Sequence, residues 1–222
     1  MQIQNKFNHH TQQSFSGINI AKSTNCIKNI ETNIDLFEIT KKDKTFLNKL
    51  RASVKMNELM PNSRITKAEF DRWQEMLNLA LDKAQNKDRK CIIAAKDKKP
   101  CGIITFLPGQ NKYYLDCICT WPVETGKKVT LAGQTLFKQM FTDFLNSKAN
   151  ILDLTAILNG PFDTVSKYSK LGFKQIGGEN WLVAMRTNRD TTEKTMKKLD
   201  NIINTTKANN NDDVNLLNVL EV

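Results

Sequence analysis

The stretch from Tyr113 to Leu145 constrains the fold of this chain more than any other. It begins as a strand-like run, breaks at Pro122, and continues through a short loop that holds Thr125, Gly126 and two lysines. Apolar residues then recur with the spacing of one helical face: Leu136, Phe137, Met140, Phe141, Phe144 and Leu145. The free N–H groups and the dipole of a first helical turn attract negative charge. The sequence therefore predicts that a phosphorylated ligand binds where this strand meets this helix.

Length and composition favour one domain with polar tails. The chain has 222 residues, of which 40% are hydrophobic, enough for a core. No apolar run approaches the roughly twenty residues of a membrane span, and the first residues lack the pattern of a secretory signal. We therefore expect a cytoplasmic protein that does not enter a membrane.

The five cysteines include no C-x-x-C pair. Four of them lie in strand-like apolar runs, so we expect small buried side chains in a reducing compartment and no metal. A zinc site is the alternative interpretation. The net charge of +10 attracts polyanions, and three explanations stay open: a lysine-rich surface, a phosphate-rich cofactor, or an acidic or nucleic-acid partner.

The order of the predicted elements divides the chain into three parts. Residues 1–30 are polar and are predicted to be a disordered tail, a composition that also suits the secretion address of a bacterial effector. Residues 31–189 form the predicted domain, and residues 190–222 form a helix and a tail. Within the domain we predict a strand, two helices (the second opened by the capping box Thr66–Glu69), three antiparallel strands, a helix and a strand. A short helix ended by Gly172 as C-cap and two strands follow.

Three stretches in this order resemble the GNAT superfamily of N-acetyltransferases. They are K-P-C-G-I-I-T-F at Lys99–Phe106, I-C-T-W-P followed by L-A-G-Q-T-L at 118–122 and 131–136, and K-Y-S-K-L-G-F at Lys167–Phe173. The resemblance implies an α/β (α+β) fold with a mixed, mostly antiparallel sheet of six to seven strands. That sheet is splayed between its fourth and fifth strands and is flanked by about four helices.

The resemblance also implies that acetyl-CoA lies in this V-shaped opening as co-substrate. The pantetheine arm would contact the backbone of the fourth strand, and the pyrophosphate would rest on the loop and the first helical turn. The residues concerned are Ile118, Cys119, Thr120, Trp121, Lys127, Lys128, Val129, Thr130, Leu131, Ala132, Gly133, Gln134 and Asn159.

The phosphate loop departs from the family pattern at one place. Leu131 stands where the family has its first glycine, and Gly133 occupies the position of the second. A leucine offers its amide to a phosphate only if its φ stays negative and its side chain turns away. Close helix packing is the alternative explanation for Gly133, and turn chemistry is the alternative for Asn159.

Acetyl transfer to an amine needs a base for the ammonium proton, donors for the oxyanion and an acid for the departing thiolate. Asp116 lies on the fourth strand, where alternation puts it on the face of Ile118 and Thr120, and it is the candidate base. A surface or ion-paired aspartate is the alternative. Glu124 is a second candidate, or a loop carboxylate near the helix dipole. Tyr168 aligns with the family tyrosine that protonates the sulfur, or simply packs on the sheet.

The sequence thus predicts an acetyl-CoA-dependent N-acetyltransferase without a covalent enzyme intermediate. The acceptor classes are a protein lysine or N-terminus, a small amine, and an aminoacyl-RNA. The alternative is a degenerate GNAT-fold module that binds nucleic acid or an acidic protein through its basic surface, and a secreted bacterial effector is one form of this alternative.

Overall fold

The computed structural model describes residues 17–27, 30–40, 43–55, 65–122, 129–158 and 164–207. Within this part of the chain it has nine strands and five helices. In chain order they are β1 Ile18–Ile27, β2 Ile30–Ile39, α1 Lys44–Lys55, α2 Lys67–Lys83, β3 Lys90–Lys96, β4 Lys99–Leu107, β5 Lys112–Thr120, α3 Ala132–Asn146, β6 Ile151–Ile157, α4 Thr164–Lys170, β7 Lys174–Glu179, β8 Leu182–Asn188, α5 Arg189–Asp200 and β9 Ile203–Lys207.

All nine strands belong to one sheet, in the order β7-β8-β6-β5-β4-β3-β2-β1-β9. Every neighbouring pair is antiparallel except β5 and β6, which are parallel and are joined by the crossover helix α3. The predicted mixed, mostly antiparallel sheet is confirmed. It is larger than the predicted six to seven strands, and the described helices number five rather than about four.

The additional strands lie in the two segments that were predicted as tails. β1 forms in the second half of the predicted disordered tail 1–30, and it pairs with both β2 and β9. Its buried positions include Ser23 and Asn25, whose side chains bond to each other (Oγ to Oδ1, 3.0 Å). Asn25 Nδ2 also donates to Thr135 Oγ1 of α3 at 3.5 Å. Polar residues on the buried face remove the apolar alternation that would have predicted a strand, and residues 1–16 are outside the described part.

The C-terminal part also joins the sheet. The predicted helix from residue 190 is confirmed as α5, but Ile203–Lys207 is a strand rather than helix. Lys138 of α3 holds this end in place, because its Nζ donates to the Ile203 carbonyl at 2.5 Å and pairs with Asp200 at 2.7 Å. Residues 208–222 are outside the described part.

Apolar side chains form a core on each face of the sheet. The α3-side core lies under α3 and α5 and includes Ile104, Phe106, Leu115, Phe137, Phe141, Phe144, Phe173 and Leu199. The α2-side core lies under α1 and α2 and includes Phe46, Leu50, Trp73, Leu77, Ile93, Cys117, Cys119 and Trp121. The largest of these side chains are almost fully buried, so the sheet is a rigid base for the strand ends that form the site.

The capping box at the start of α2 is confirmed. The Thr66 N–H donates to Glu69 Oε2 at 2.6 Å, and the Glu69 N–H donates to the Thr66 hydroxyl at 3.3 Å. The backbone N–H and then the hydroxyl of Thr66 lower the pKa of Glu69. This cap fixes the start of the helix that carries Arg72 and Trp73 to the site.

Four cysteines in β3, β4 and β5 are buried. Cys91, Cys101, Cys117 and Cys119 are all free thiols, and burial raises the pKa of Cys101 and Cys117 to about 12. They therefore remain neutral thiols that pack like small apolar side chains, as predicted. Among the described residues, no helix has the length and apolar character to cross a membrane.

Candidate functional site

The sheet opens between β5 and β6. Their parallel pairing covers only Lys112–Leu115 of β5 and Ile151–Leu154 of β6. Beyond this point β5 continues to Thr120 and β6 continues to Ile157, and the described residues of the two strands are no longer paired. The predicted V-shaped opening lies at the carboxyl ends of these strands.

A β-bulge marks the residue at which the opening begins. Thr105 of β4 pairs with Cys117, and the next residue, Phe106, pairs with Leu115, so Asp116 is the extra residue. Leu115 consequently lies in the α3-side core and Cys117 in the α2-side core, although the two are only two positions apart. The alternation that was expected to put Asp116 on the face of Ile118 and Thr120 does not hold across this bulge.

The backbone of β5 beyond the bulge presents alternate residues to the opening. The Trp121 N–H donates to the Cys101 carbonyl of β4 at 2.9 Å, and hydrogen-bonding direction alternates along a strand. Cys119 and Trp121 therefore face β4, whereas the backbone groups of Ile118 and Thr120 face the opening. Of the four residues predicted to contact pantetheine through their backbone, two direct their backbone groups into the opening and two direct them to β4.

A helix side chain satisfies one of the groups at the end of β5. The indole Nε1 of Trp73 donates to the Thr120 carbonyl at 3.2 Å. Trp73 is buried, and its hydrogen bond ties α2 to the end of β5. The Ile118 carbonyl and the N–H groups of Ile118 and Thr120 are left as the polar groups that face the opening. The peptide bond that follows, Trp121–Pro122, is cis.

On the β6 side of the opening, one hydroxyl satisfies the backbone groups of the strand edge. Thr164 Oγ1, in the first turn of α4, accepts from the Ile157 N–H at 2.7 Å and donates to the Ile157 carbonyl at 2.9 Å. The edge of β6 is therefore satisfied at this residue while the edge of β5 is open. The two strands that border the V therefore differ in their free backbone groups, and β5 is the strand that can form hydrogen bonds with a ligand.

The N-terminus of α3 lies beside the open end of β5. Among the described residues, the Ala132 N–H has the Val129 carbonyl as acceptor at 3.3 Å, and the Thr135 N–H has the Leu131 carbonyl at 2.8 Å. The intervening N–H groups of Gly133 and Gln134 have no acceptor in that part of the chain. They are two of the free donors that the sequence predicted for an anion.

Leu131 caps this helix in the left-handed conformation, with φ 61° and ψ 12°. The negative φ that was the condition for Leu131 to offer its amide to a phosphate is therefore not met. A left-handed residue costs about 1–2 kcal/mol when it is not glycine, which explains why glycine suits this position. The Leu131 side chain packs against the α3-side core, and this contact offsets part of the cost.

Gly133 is not required by tight packing. A Cβ atom built there would lie 3.7 Å from the Thr120 Cγ2, an ordinary contact. The close-packing explanation is therefore not supported, and the measurement places the first turn of α3 against the end of β5. At Gly102 of β4, in contrast, a Cβ would meet Leu136 Cδ1 at 2.9 Å, so the packing of α3 on the sheet does require a glycine there.

Tyr168 lies in α4, where its ring packs on Phe137 (centroids 5.7 Å apart) and Phe173 (6.2 Å). Burial, followed by the proximity of Cys119 and Cys117, raises the pKa of Tyr168 above its ordinary value. The phenol is thus a neutral donor that lies near the thiols of β5. The helix that presents it ends at Gly172, which has φ +88°, as predicted for a C-cap.

Asp116 forms an ion pair, which is the alternative considered for it, with a partner that the sequence did not identify. Arg89, just before β3, donates through Nε to Asp116 Oδ2 at 3.1 Å. The Asp116 side chain is only 6% exposed. No described hydrogen bond joins Asp116 to Tyr168, so the two candidate catalytic groups are near the same strand segment but do not touch. Nothing in the sequence around Arg89 distinguishes it from other basic residues.

The remaining candidates divide between the described chain and its gaps. Val129 and Thr130 precede the α3 cap and are described. Glu124, Lys127, Lys128 and Asn159 lie outside the described residues. Sequence reasoning missed Arg89 and the contact of Arg72 with Trp181, because each depends on elements far apart in the chain. It also missed Thr164, although its partner Ile157 is only seven residues away.

Comparisons with known proteins were made by sequence and by structure. No protein-family model and no curated protein matches the sequence. Solved structures do match. An uncharacterized protein (bh2621) from Bacillus halodurans has a TM-score of 0.54 at 12% identity over 82% of this chain and 97% of its own. FdhC without ligand, described as a nucleotide-linked sugar GNAT, has a TM-score of 0.53 at 12% identity over 85% and 98%.

A third match is the PaiA N-acetyltransferase from Thermoplasma acidophilum in complex with coenzyme A. Its TM-score is 0.50 at 18% identity, over 70% of this chain and 98% of its own. Identities this low show the fold alone. The chain has the fold of the GNAT superfamily, and the predicted resemblance is confirmed at that level.

Proposed function

We propose that this chain is an acetyl-CoA-dependent N-acetyltransferase that transfers the acetyl group directly to an amine. The observation that carries the proposal is the open end of β5 beside the N-terminus of α3. Among the described residues, the Ile118 backbone and the N–H groups of Gly133 and Gln134 have no hydrogen-bond partner, and the first turn of α3 lies against the end of β5. Unpaired backbone groups of this kind favour a ligand that has an extended arm, which pairs with the strand, and an anionic group, which accepts from the helix N–H groups.

The residues present fit this cofactor. Acetyl-CoA supplies an activated acetyl group as a thioester. The Ile118 N–H and carbonyl suit the amides of an extended arm, and the free N–H groups of Gly133 and Gln134 suit a phosphate. The Thr130 hydroxyl is a further donor close to the helix start. PaiA, which shares the fold, binds coenzyme A.

Tyr168 is proposed as the proton donor to the departing thiolate. Its raised pKa keeps the phenol protonated at neutral pH, and it lies near the Cys117–Cys119 segment of β5. The rings of Phe137 and Phe173 hold it in place. A donor fixed in this way needs no rearrangement before the proton moves.

Asp116 is proposed as the proton acceptor for the amine, acting through a water molecule. Arg89 engages its Oδ2, so Oδ1 is the oxygen that remains for a proton. The bulge turns the residue out of the regular alternation, which favours relay through water over direct contact. Glu124 remains the second candidate. The acceptor is an amine, with a protein lysine or N-terminus, a small amine and an aminoacyl-RNA as the classes considered.

Titration calorimetry with acetyl-CoA at modest salt tests the proposal, with desulfo-CoA as a probe of the nucleotide part. We expect one site per chain and a Kd on the order of 10 µM, within the range common for enzyme substrates. Binding at this strength raises the Tm at millimolar ligand. If neither heat nor a Tm change appears at millimolar acetyl-CoA, the proposal is rejected.

The degenerate binding module remains a second candidate because of Leu131 and the net charge of +10. A leucine side chain at the glycine position reduces the room beside the anion donors. This alternative predicts RNA binding that falls steeply with salt and does not change in Asp116→Ala or Tyr168→Phe variants. Salt-independent binding, or none, contradicts it.

A further inference from the structure

Two side chains meet across the mouth of the V. The Arg72 guanidinium of α2 lies over the Trp181 ring, with Cζ 5.4 Å from the ring centroid. The next residue in α2, Trp73, bonds the last residue of β5. The Trp181 carbonyl accepts from the Leu158 N–H, just after β6. The pair therefore joins the ends of the two strands between which the sheet opens.

Trp181 is exposed to an unusual degree for its size. It is 51% exposed, whereas Trp73 and Trp121 are 7% and 6% exposed. It stands in the turn between β7 and β8, and the apolar neighbours Leu158 and Leu182 are 36% and 40% exposed. A large aromatic side chain kept in water beside a candidate active site indicates a contact surface rather than core.

Arg72 is exposed to solvent and has no carboxylate partner in the described part of the chain. Among the described residues no carboxylate lies within ion-pair distance of it, and the Trp181 ring is its one described partner. Other arginines of this structure do have carboxylate partners, such as Arg51 with Asp82 and Arg186 with Asp153. The guanidinium carries five N–H donors in a planar fork that matches a carboxylate or phosphate, and a ring face does not satisfy them.

We propose that Arg72 and Trp181 recognise the acceptor, and that the acceptor is an amine that carries an anionic group. The anionic group binds the Arg72 fork, and the body of the molecule packs on the Trp181 indole, which directs the amine into the opening. This inference rests on the proposed acetyl transfer, since it assigns the acceptor class of the same site. An acceptor without the negative charge forms no charge-assisted hydrogen bonds with the Arg72 guanidinium and therefore binds less well.

Matched pairs of acceptors test the charge preference. Dipeptides such as Gly-Phe and Ala-Tyr are compared with their C-terminal amides, which keep the amine and lose one negative charge remote from it. Release of free CoA thiol gives kcat/KM for each. We expect the anionic member of each pair to be preferred by about tenfold, which corresponds to about 1.4 kcal/mol. If no anionic member is used faster than its amide, the proposal is overturned.

Charge reversal separates recognition from support of the fold. Arg72→Glu should abolish or invert the preference, and Trp181→Ala should raise the acceptor KM several-fold while the acetyl-CoA affinity stays unchanged. Lys194→Glu, an equal charge change on the exposed side of α5 on the other face of the sheet, should leave the preference intact. If Arg72→Glu and Trp181→Ala lower the Tm but leave the preference for anionic acceptors unchanged, the pair only stabilises the contact between α2 and the β7–β8 hairpin, and the proposal is wrong.

Calorimetry on the wild-type protein distinguishes this failure from that of the proposed function. Acetyl-CoA binding without a charge preference overturns only the acceptor assignment. Absence of acetyl-CoA binding rejects the enzyme itself. Acrylamide quenching of Trp181, the exposed member of the three tryptophans, gives a direct reading of acceptor binding: the anionic dipeptides should protect it more than their amides.

Discussion

The two halves of the β5–β6 pair differ in how their polar groups are satisfied. In the closed half, Lys112–Leu115 pairs with Ile151–Leu154, and Asp153 is bonded by Arg186 at 2.7 and 2.9 Å and lies 3.4 Å from Lys112. In the open half, the backbone of Ile118 has no strand partner among the described residues of β6. The same two strands are a structural support at one end and an unsatisfied edge at the other.

This difference shows which half serves stability and which serves binding. The closed half forms its hydrogen bonds and ion pairs within the protein, so changes there affect folding. The open half has backbone N–H and carbonyl groups that are available to a ligand, so changes there affect binding. The hydrogen bonds between β5 and β4 still hold this half in the sheet. The bulge at Asp116 is the boundary between the two. Each prediction below tests one side of this boundary.

The largest effect is expected from proline on alternate residues of the open half. Ile118→Pro removes an N–H that faces the opening, and proline is tolerated where the strand N–H is not used in a ladder. We expect a folded protein whose acetyl-CoA affinity falls at least about 100-fold, because one hydrogen bond is lost and the proline ring interferes sterically with the ligand. Cys119→Pro removes an N–H directed to β4 and should prevent folding.

The control for this prediction is Ile118→Ala, which trims the side chain and keeps the N–H. Its affinity for acetyl-CoA should stay close to that of the wild type, measured by calorimetry, with circular dichroism to check the fold. If Ile118→Ala weakens binding as much as Ile118→Pro, the backbone argument is wrong.

Tyr168→Phe should lower kcat about 100-fold, the lower end of what a positioned proton donor contributes. The Tm should change little because the ring contacts with Phe137 and Phe173 remain. Since its pKa is raised, Tyr168 stays protonated, and the wild-type rate should show no loss from this group as pH rises to about 10. Steady-state rates across pH check this, and a kcat within about twofold of the wild type excludes the assigned role.

In the closed half, Asp153→Asn should destabilise the protein by about 2 kcal/mol, because bonds to a charged group are lost and two cations remain. Acetyl-CoA affinity should be unchanged. Urea unfolding provides the measurement, and Glu179→Gln, an exposed carboxylate on β7, is the control. A change in affinity as large as the change in stability would remove the distinction between the two halves.

The same carboxylate sets a pH dependence of stability. Burial raises the pKa of Asp153, but the bonds and charges of Arg186 and Lys112 outweigh it, so the pKa lies below its ordinary value. The stabilisation is therefore complete above about pH 5 and is lost as pH falls below about 4, through the folded-state pKa. The wild-type and Asp153→Asn unfolding curves should converge in that range, and a constant difference between them down to pH 3 contradicts this.

The smallest effect is expected at the anion end of the open half. Leu131→Gly and Leu131→Ala both lose the packing of the leucine side chain, but only glycine adopts a φ of 61° without strain. The glycine variant should be more stable than the alanine variant by about 1 kcal/mol. Thermal unfolding measures it, and equal stabilities would show that Leu131 is not left-handed in solution.

The sequence predicted the parts of this fold that depend on local periodicity. The apolar stripe of α3, the capping box of α2 and the Gly172 cap each follow from short patterns, and the structure has all three. It did not predict β1, because buried Ser23 and Asn25 conceal the strand pattern. It could not predict β9 either, since five residues ending in polar Thr-Thr-Lys gain their pairing from β1 alone.

The candidate site was predictable only in outline. The position of the opening follows from the order of the elements, and Gly133 and Gln134 follow from the helix start. The bulge at Asp116 has no local signal, because it arises from the register with β4. The left-handed Leu131 is contrary to the preference of leucine, so only the packing of the completed fold specifies it.

Amide hydrogen exchange, resolved by residue, tests the central claim most directly. Without ligand, the N–H groups of Ile118, Gly133 and Gln134 should exchange much faster than that of Cys119, which is bonded to β4. Acetyl-CoA should slow the exchange of the first three N–H groups and leave the exchange rate of the Cys119 N–H unchanged. If Ile118 is already protected without ligand, or if acetyl-CoA changes none of the three, the open edge of β5 is not a cofactor site.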